Sequence, residues 1–468
     1  LKNTKLSTLL ETFSPEEWRD LKKMVFSPYF NKREDVQNLC LELEYFIRYD
    51  RDLPEKEWFF EKLFPDESSY DDHKIRLATS ILFKICEKYL VLQKLETDQP
   101  FQNRKLVQTY RERGLPKHFQ KAFKVANEDL DKSTIRDARY FQDRMLLEME
   151  EFQFSAAQRR TADLNLQSLS RQLDLSYASQ KLQQACLLVS HMAVFKKEYE
   201  FGLFEQVLDF VEKENLIEVP AIGIYYHLYK ALKQDNATLN FHQLKQLIFE
   251  NDDQFSKAEM RDLIILAINF CIRKYNDGSR EYLEEEFDLY KKGLEEGFLL
   301  QNGYLSRFTY RNVVTVGLIL KAYDWVEDFN AAYKSFLEEK HQEVMFHFNQ
   351  ARLLYETRKY DEAVEMLQGF ESQDLLLNLS SKALIIKVYF EWGEFDLLQS
   401  HLDAFKTYLR RRKNQIGYHQ SLYTNLINYT QKVLELPPGD KKSMAEITQT
   451  IQQQKNLAEK EWLLSRLN

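Results

Sequence analysis

Glu338 and His341 stand three residues apart in SFLEEKHQEV, the Glu-x-x-His spacing with which dimetal helix bundles put two ligands on one helix face. Such a centre needs the pattern twice, and here it occurs once, so the plainer reading is a solvated helix end and no metal is expected. The acidic run EYLEEEFDLY, residues 281–290, could pass for a carboxylate site. Its Tyr282, Phe287 and Tyr290 recur among the acids at helical spacing, which instead gives a solvated face above a buried one. His227 and His347 lie among aromatics and read as core or groove residues rather than general bases. In TYLRRRKNQ, Arg410, Arg411, Arg412 and Lys413 crowd a helix end. Cations there complement the helix dipole, and the sharper alternative is contact with an anion or a nucleic-acid backbone.

Other chemistry is excluded by what the chain lacks. Its 12 Gly are scattered singly, so neither a phosphate-cradling loop nor a dinucleotide fingerprint can be assembled, and no cofactor is expected. His-Glu-x-x-His and Gly-x-Ser-x-Gly are both missing, which removes the common hydrolase signatures. Cys40, Cys86, Cys186 and Cys271 are far apart inside apolar patterns, so they read as reduced core residues rather than a disulfide framework or a metal knuckle. A formal net charge of -8, with 29% charged residues of mixed sign, advertises neither disorder nor nucleic acid. The longest apolar run, LIILAINFCI, is half the roughly 20 residues that cross a bilayer. The opening LKNTKLSTLLETF does not resemble a signal peptide, and a cytoplasmic location is expected.

The elements that hold these side chains must be helices. With 12 Gly and 9 Pro in 468 residues, the chain has too few turn formers for an all-β fold, and it is too long for one ordinary core. In FSPEEW, Ser14 caps a helix that starts at Pro15, Glu17 completes the capping box, and Phe13 faces Trp18 as a staple. Ser27-Pro28 stops it. A second helix is expected from Asn31, with Val36, Leu39, Leu43 and Phe46 or Ile47 at helical spacing. A third carries Trp58, Phe59 and Leu63 to the Phe64-Pro65 stop, and a fourth from about Asp72 buries Ile75, Ala78, Leu82, Ile85, Tyr89 and Leu92. ETDQPFQN and RGLPKH are breaks, and a long helical stretch is expected from about Ser133. Helix pairs then follow, parted by KKEYE, KQDNAT, KYNDGSRE and LPPGD.

In HFNQARLLYETRKYDEAVEML, Ala351, Leu354, Tyr355, Tyr360 and Ala363 fall where a tetratricopeptide repeat puts its small and aromatic packing residues. Trp325 lies thirty-five residues before Tyr360 and Phe395 thirty-five after it. The apolar pairs Ile319-Leu320, Leu354-Tyr355 and Tyr389-Phe390 keep the same register. Residues 309–405 therefore resemble the tetratricopeptide family over about three units. The small residue of the first helix is Ala351 in one unit but Val316 and Ile386 in its neighbours, and the alanine of the second is replaced by Asp328 and Leu398. The array is thus divergent. The FSPYFNK punctuation is also similar to uncharacterised proteins of Bacteroidota, a likeness that supplies no function.

The expected fold is all-α: an N-terminal helical module (residues 1–98), connecting helices (99–175) and a right-handed tetratricopeptide-like α-solenoid of stacked hairpins (176–468). The resemblance implies that first helices line a concave face, from which Phe348, Asn349, Arg352 and Tyr355 project, followed one repeat later by Lys387 and Phe390. Two equivalent cations among aromatics suit an acidic peptide or a free carboxylate. The expected function is a non-enzymatic scaffold that holds a protein or peptide partner. Its rival is a nucleic-acid-linked regulator in which the proline-stopped N-terminal helices include a helix-turn-helix. Against that rival, residues 31–47 carry Glu34, Asp35, Glu42 and Glu44 beside Lys32 and Arg33.

Overall fold

The computed structural model of the chain describes residues 1–158, 164–233, 236–372, 374–437 and 440–467. Gln234 and Asp235 of the KQDNAT turn, and Pro438 and Gly439 of LPPGD, lie outside them. Two compact units meet in sequence at Gln180 and Lys181, within one helix.

The first unit begins with α1 (Lys5–Leu10), capped reciprocally by Thr4 and Ser7, a helix not expected from the sequence. Then come α2 (Pro15–Val25), α3 (Glu34–Arg48), α4 (Lys56–Leu63) and α5 (Asp72–Glu96). Ser14 and Glu17 form the expected capping box, with Ser14 N–H donating to Glu17 Oε2 at 2.8 Å, and the Phe13 and Trp18 rings meet edge to face at 6.1 Å. Helix α3 starts three residues later than expected because Asn31 is spent on the backbone. Its Nδ2 donates to the Val25 and Arg33 carbonyls at 3.0 and 3.1 Å, and the Arg33 amide donates to its Oδ1. Trp18, Leu21, Leu39, Leu43 and Leu82 are fully buried in one apolar cluster of residues 1–92.

Beyond it stand α6 (Gln99–Glu112), α7 (Pro116–Lys132) and α8 (Ala138–Gln158), with a smaller cluster of Val107, Phe119, Ala126, Leu130 and Leu147. The boundary expected at residue 98 thus falls within this unit, between its two clusters. Ser133, expected to open a helix, is the extended residue that ends α7, and Asp137 caps α8 through the Tyr140 amide. Helix α9 (Leu166–Phe195) contains the boundary between the units.

The second unit is built from α10 (Phe204–Lys213), α11 (Pro220–Leu232), α12 (Ala237–Glu250), α13 (Lys257–Asn276), α14 (Tyr282–Glu295), α15 (Arg307–Ile319), α16 (Tyr323–Tyr333), α17 (Glu339–Glu356), α18 (Tyr360–Leu367), α19 (Leu375–Trp392) and α20 (Phe395–Arg411). From α11 onward each helix packs on the next, while α15, α17 and α19 also touch in series. That is the contact pattern of stacked hairpins, each covering the apolar face of its neighbour, and the fold is all-α and solenoid-like. In the α15–α16 hairpin the close approach is made one residue after the expected position. A Cβ on Gly317 would lie 2.4 Å from the Val326 side chain, so only glycine lets the two helices meet there.

Two departures from a regular array matter for function. Between α14 and α15 the chain forms a small hairpin, β1 (Leu300–Gln301) and β2 (Tyr304–Leu305). Asn302 and Gly303 turn it with φ of 52° and 82°, the geometry favoured in two-residue hairpin loops. After α20, α21 (Lys413–Ile416), α22 (His419–Leu434), α23 (Lys441–Gln453) and α24 (Lys460–Ser465) complete a cluster in which Leu379, Leu402, Leu426, Ile451 and Leu463 are fully buried.

Candidate functional site

Helix α17 has no Gly or Pro, and Met345, Phe348, Ala351 and Leu354 recur along it at the spacing that buries one face. Phe348 is 3% exposed and Asn349 is fully buried, so neither projects into open solvent as the repeat register implied. Arg352 runs inward between α17 and α15. Its Nη2 donates to Thr315 Oγ1 at 3.0 Å, its Cζ stands 5.8 Å from the centre of the Phe348 ring, and Arg311 approaches the same ring at 5.7 Å. Burial, reinforced by Arg311, lowers the Arg352 pKa to about 10. Its Nη1 and both amide atoms of Asn349 are buried without a hydrogen-bond partner.

Tyr355, Lys387 and Phe390 form the outer part of this group. The Lys387 ammonium lies 4.9 Å above the Tyr355 ring, whose hydroxyl is 3.5 Å from Glu391 Oε1. Burial first, then Glu391 and Glu356, pushes the Tyr355 phenol up. This face was expected to be open, and the chain itself covers it. Lys387 donates to Glu459 Oε2 at 3.1 Å, Phe390 meets Trp462 edge on at 5.4 Å, and Glu391 accepts from Trp462 Nε1 at 3.0 Å and from Arg466 at 2.7 Å. Glu459, just before α24, sits at φ 53°, ψ 34°. A non-glycine residue in that left-handed region costs about 1 kcal/mol or more, so its ion pair is made at the expense of backbone strain.

The structure therefore brings all six expected residues to neighbouring positions on α17 and α19: Phe348 and Asn349 are sealed inside, Arg352 is threaded inward, Phe390 meets α24, Lys387 pairs with Glu459 just before it, and Tyr355 lies beneath Lys387. Sequence reasoning missed Glu391, Glu459 and Trp462. The one available signal was the amphipathic end EWLLSRL, in which Trp462, Leu463 and Leu467 recur on one side.

Arg410 and Arg411 end α20, Arg412 follows it and Lys413 opens α21. All four are exposed, and among the described residues none has a side-chain ion pair. The remaining sequence candidates stay apart from chemistry. Glu338 precedes α17 and pairs with Lys340 at 2.6 Å, and with His341 it lines a cleft of about 630 Å³ shared with Arg261, Arg307 and the β1–β2 hairpin. Among the described residues no group of His, Cys, Asp or Glu is arranged to hold a metal ion. His227 is buried with Nδ1 2.8 Å from Asn240 Oδ1, and His347 stands beside Glu343 at 3.8 Å on a half-exposed surface. In the acidic run, Glu286 is the exception to a solvated face: it is 3% exposed, and burial raises its carboxyl to about 7.

Three cations of the N-terminal helices are held by carboxylates. Arg33 is paired with Asp35 at 2.6 Å, while Lys22 and Arg48 hold the buried carboxylate of Glu44 at 2.7 and 2.8 Å. No helix among the described residues is long and apolar enough to cross a membrane. No protein-family profile, curated protein or solved structure matches the chain.

Proposed function

We propose that the protein is a non-enzymatic scaffold whose α17–α19 face holds a short helix of a partner protein. The observation that carries this reading is the contact of Glu459, Trp462 and Arg466 with Lys387, Phe390 and Glu391 of α19. A carboxylate meets Lys387, an indole lies against Phe390 while donating to Glu391, and a guanidinium completes the Glu391 pairing. These are the contacts of a helix in a groove: one aromatic anchor supplies burial, and charges at its rim set register. A partner with an acidic residue three positions before a tryptophan carries the same chemistry. The four buried free thiols support a reducing compartment, and the cytoplasm is the proposed location.

The test opens the face and supplies a helix in trans. Trp462→Ala in the full chain removes the internal anchor, and a labelled peptide of residues 455–467 is then titrated by fluorescence anisotropy. Saturable binding is expected, weakened at least tenfold when Lys387→Glu is added. Absence of saturable binding, or binding indifferent to Lys387→Glu, would overturn the reading.

A further inference from the structure

A cleft of about 640 Å³ lies beside the end of α20, with Lys382 of α19 on one side and Tyr408, Arg411 and Arg412 on the other. The Lys382 ammonium stands 4.8 Å from the centre of the Tyr408 ring, and the Arg412 guanidinium stands 5.3 Å from the same ring. Lys382 is half-buried, yet among the described residues neither its ammonium nor the two guanidinium groups has an ion pair or hydrogen-bond acceptor. The Tyr408 hydroxyl is buried and likewise has no partner. Two carboxylates share the lining: Asp403 accepts from Gln399 at 3.3 Å, and Glu371 acts on Lys382 only from a distance.

Unfilled donors of this kind have a cost. A buried hydroxyl without a partner forfeits the hydrogen bonds it made to water, and a half-buried ammonium loses hydration that nothing in the cleft replaces. Burial accordingly draws the Lys382 pKa down, with Glu371 opposing and Arg412 adding to the effect. Apart from the exposed carboxylate of Glu371, the unsatisfied groups here are donors or cations, so the complementary ligand is rich in acceptor oxygens and negatively charged. Guanidinium forks match phosphate and carboxylate geometry, and the space admits a body larger than a single inorganic ion. The cations converge on one concavity instead of spreading along a stripe, and the chain carries a net charge of -8, both of which favour a small anion over a nucleic-acid backbone.

We propose that this cleft binds a small organic oxyanion, a phosphate ester or a polycarboxylate, with Lys382, Arg411 and Arg412 supplying charge and Tyr408 supplying a hydrogen bond. This site is independent of the α17–α19 face.

The experiment uses the full chain in isothermal titration calorimetry with pyrophosphate and, separately, citrate at constant ionic strength, comparing Lys382→Met and Arg412→Gln. One saturable site is expected, weakened at least tenfold in each variant. A preference for pyrophosphate assigns a phosphate ligand, and a preference for citrate assigns a carboxylate. In the absence of anion, Lys382→Met should melt no lower than the parent chain, since it removes a charge without a partner, so lost binding will not reflect lost folding. Failure of both probes at millimolar concentration, or affinities unchanged by both variants, would each overturn the proposal.

Discussion

Glu286 and Arg352 are ionisable groups taken into the packing without an opposite charge beside them, and each was misread from sequence for the same reason. Helical periodicity says which residues share a stripe, but the width of the buried stripe depends on how closely the neighbouring helices approach. Glu286 falls inside the edge where α13 and α14 meet, and its carboxyl is raised from 4.5 to about 7 by burial alone. At about 1.4 kcal/mol per tenfold change in proton affinity, that displacement corresponds to about 3 kcal/mol. The folded chain binds this proton more tightly than the unfolded chain, so the contribution of the neutral carboxyl is fully present below pH 4.5 and is lost as pH rises through about 7. Glu286→Gln keeps the shape and removes the titration. Its melting temperature relative to the parent should climb between pH 4.5 and 7 and then level off. A difference independent of pH would show that the carboxyl titrates normally. Arg352 was expected at a groove because its register matches Lys387, and register alone does not tell an inward guanidinium from an outward one.

At the scale of elements, the proline-stopped helices α2 and α4 were legible because their signals are local: a capping box, a staple, or a proline that removes a donor. The β1–β2 hairpin carries an equally local signal in Asn302-Gly303, which the low glycine content and the helical periodicity of the flanking segments mask. Helix α24 and its seat on α19 were illegible for another reason: the contact joins residues more than seventy positions apart and repeats no unit of the array. Hairpin packing lies between these cases. The thirty-five-residue register pointed to Val316 for the small residue of α15, and the structure uses Gly317 instead. Because an added Cβ there meets Val326 at 2.4 Å, Gly317→Ala should cost about 1–3 kcal/mol despite alanine's better helix propensity. Urea denaturation would read this as a lower midpoint with an unchanged slope, and a gain in stability would mean that α15 and α16 are not packed this closely.

At the scale of the whole molecule, the chain carries separate apolar clusters in its two units. Trp18, Leu21, Leu43 and Leu82 belong to one within residues 1–92, and Leu379, Leu398, Leu402 and Phe405 belong to another within residues 375–467. Chains of this length rarely unfold in a single step, because cooperativity requires that the loss of one core expose the next. In a stacked array, stability is instead a sum of unit terms and nearest-neighbour interfaces. A cavity cut into either cluster should therefore be felt locally. Leu43→Ala and Leu402→Ala each remove a fully buried side chain, at a cost of about 2–5 kcal/mol to the core that held it. Hydrogen exchange read by mass spectrometry locates that cost. Leu43→Ala should speed exchange in α2, α3 and α5 while α19 and α20 keep their protection, and Leu402→Ala should do the reverse. If either substitution accelerates exchange uniformly along the chain, the two clusters unfold as one cooperative body, and the division at residue 180 has no energetic meaning.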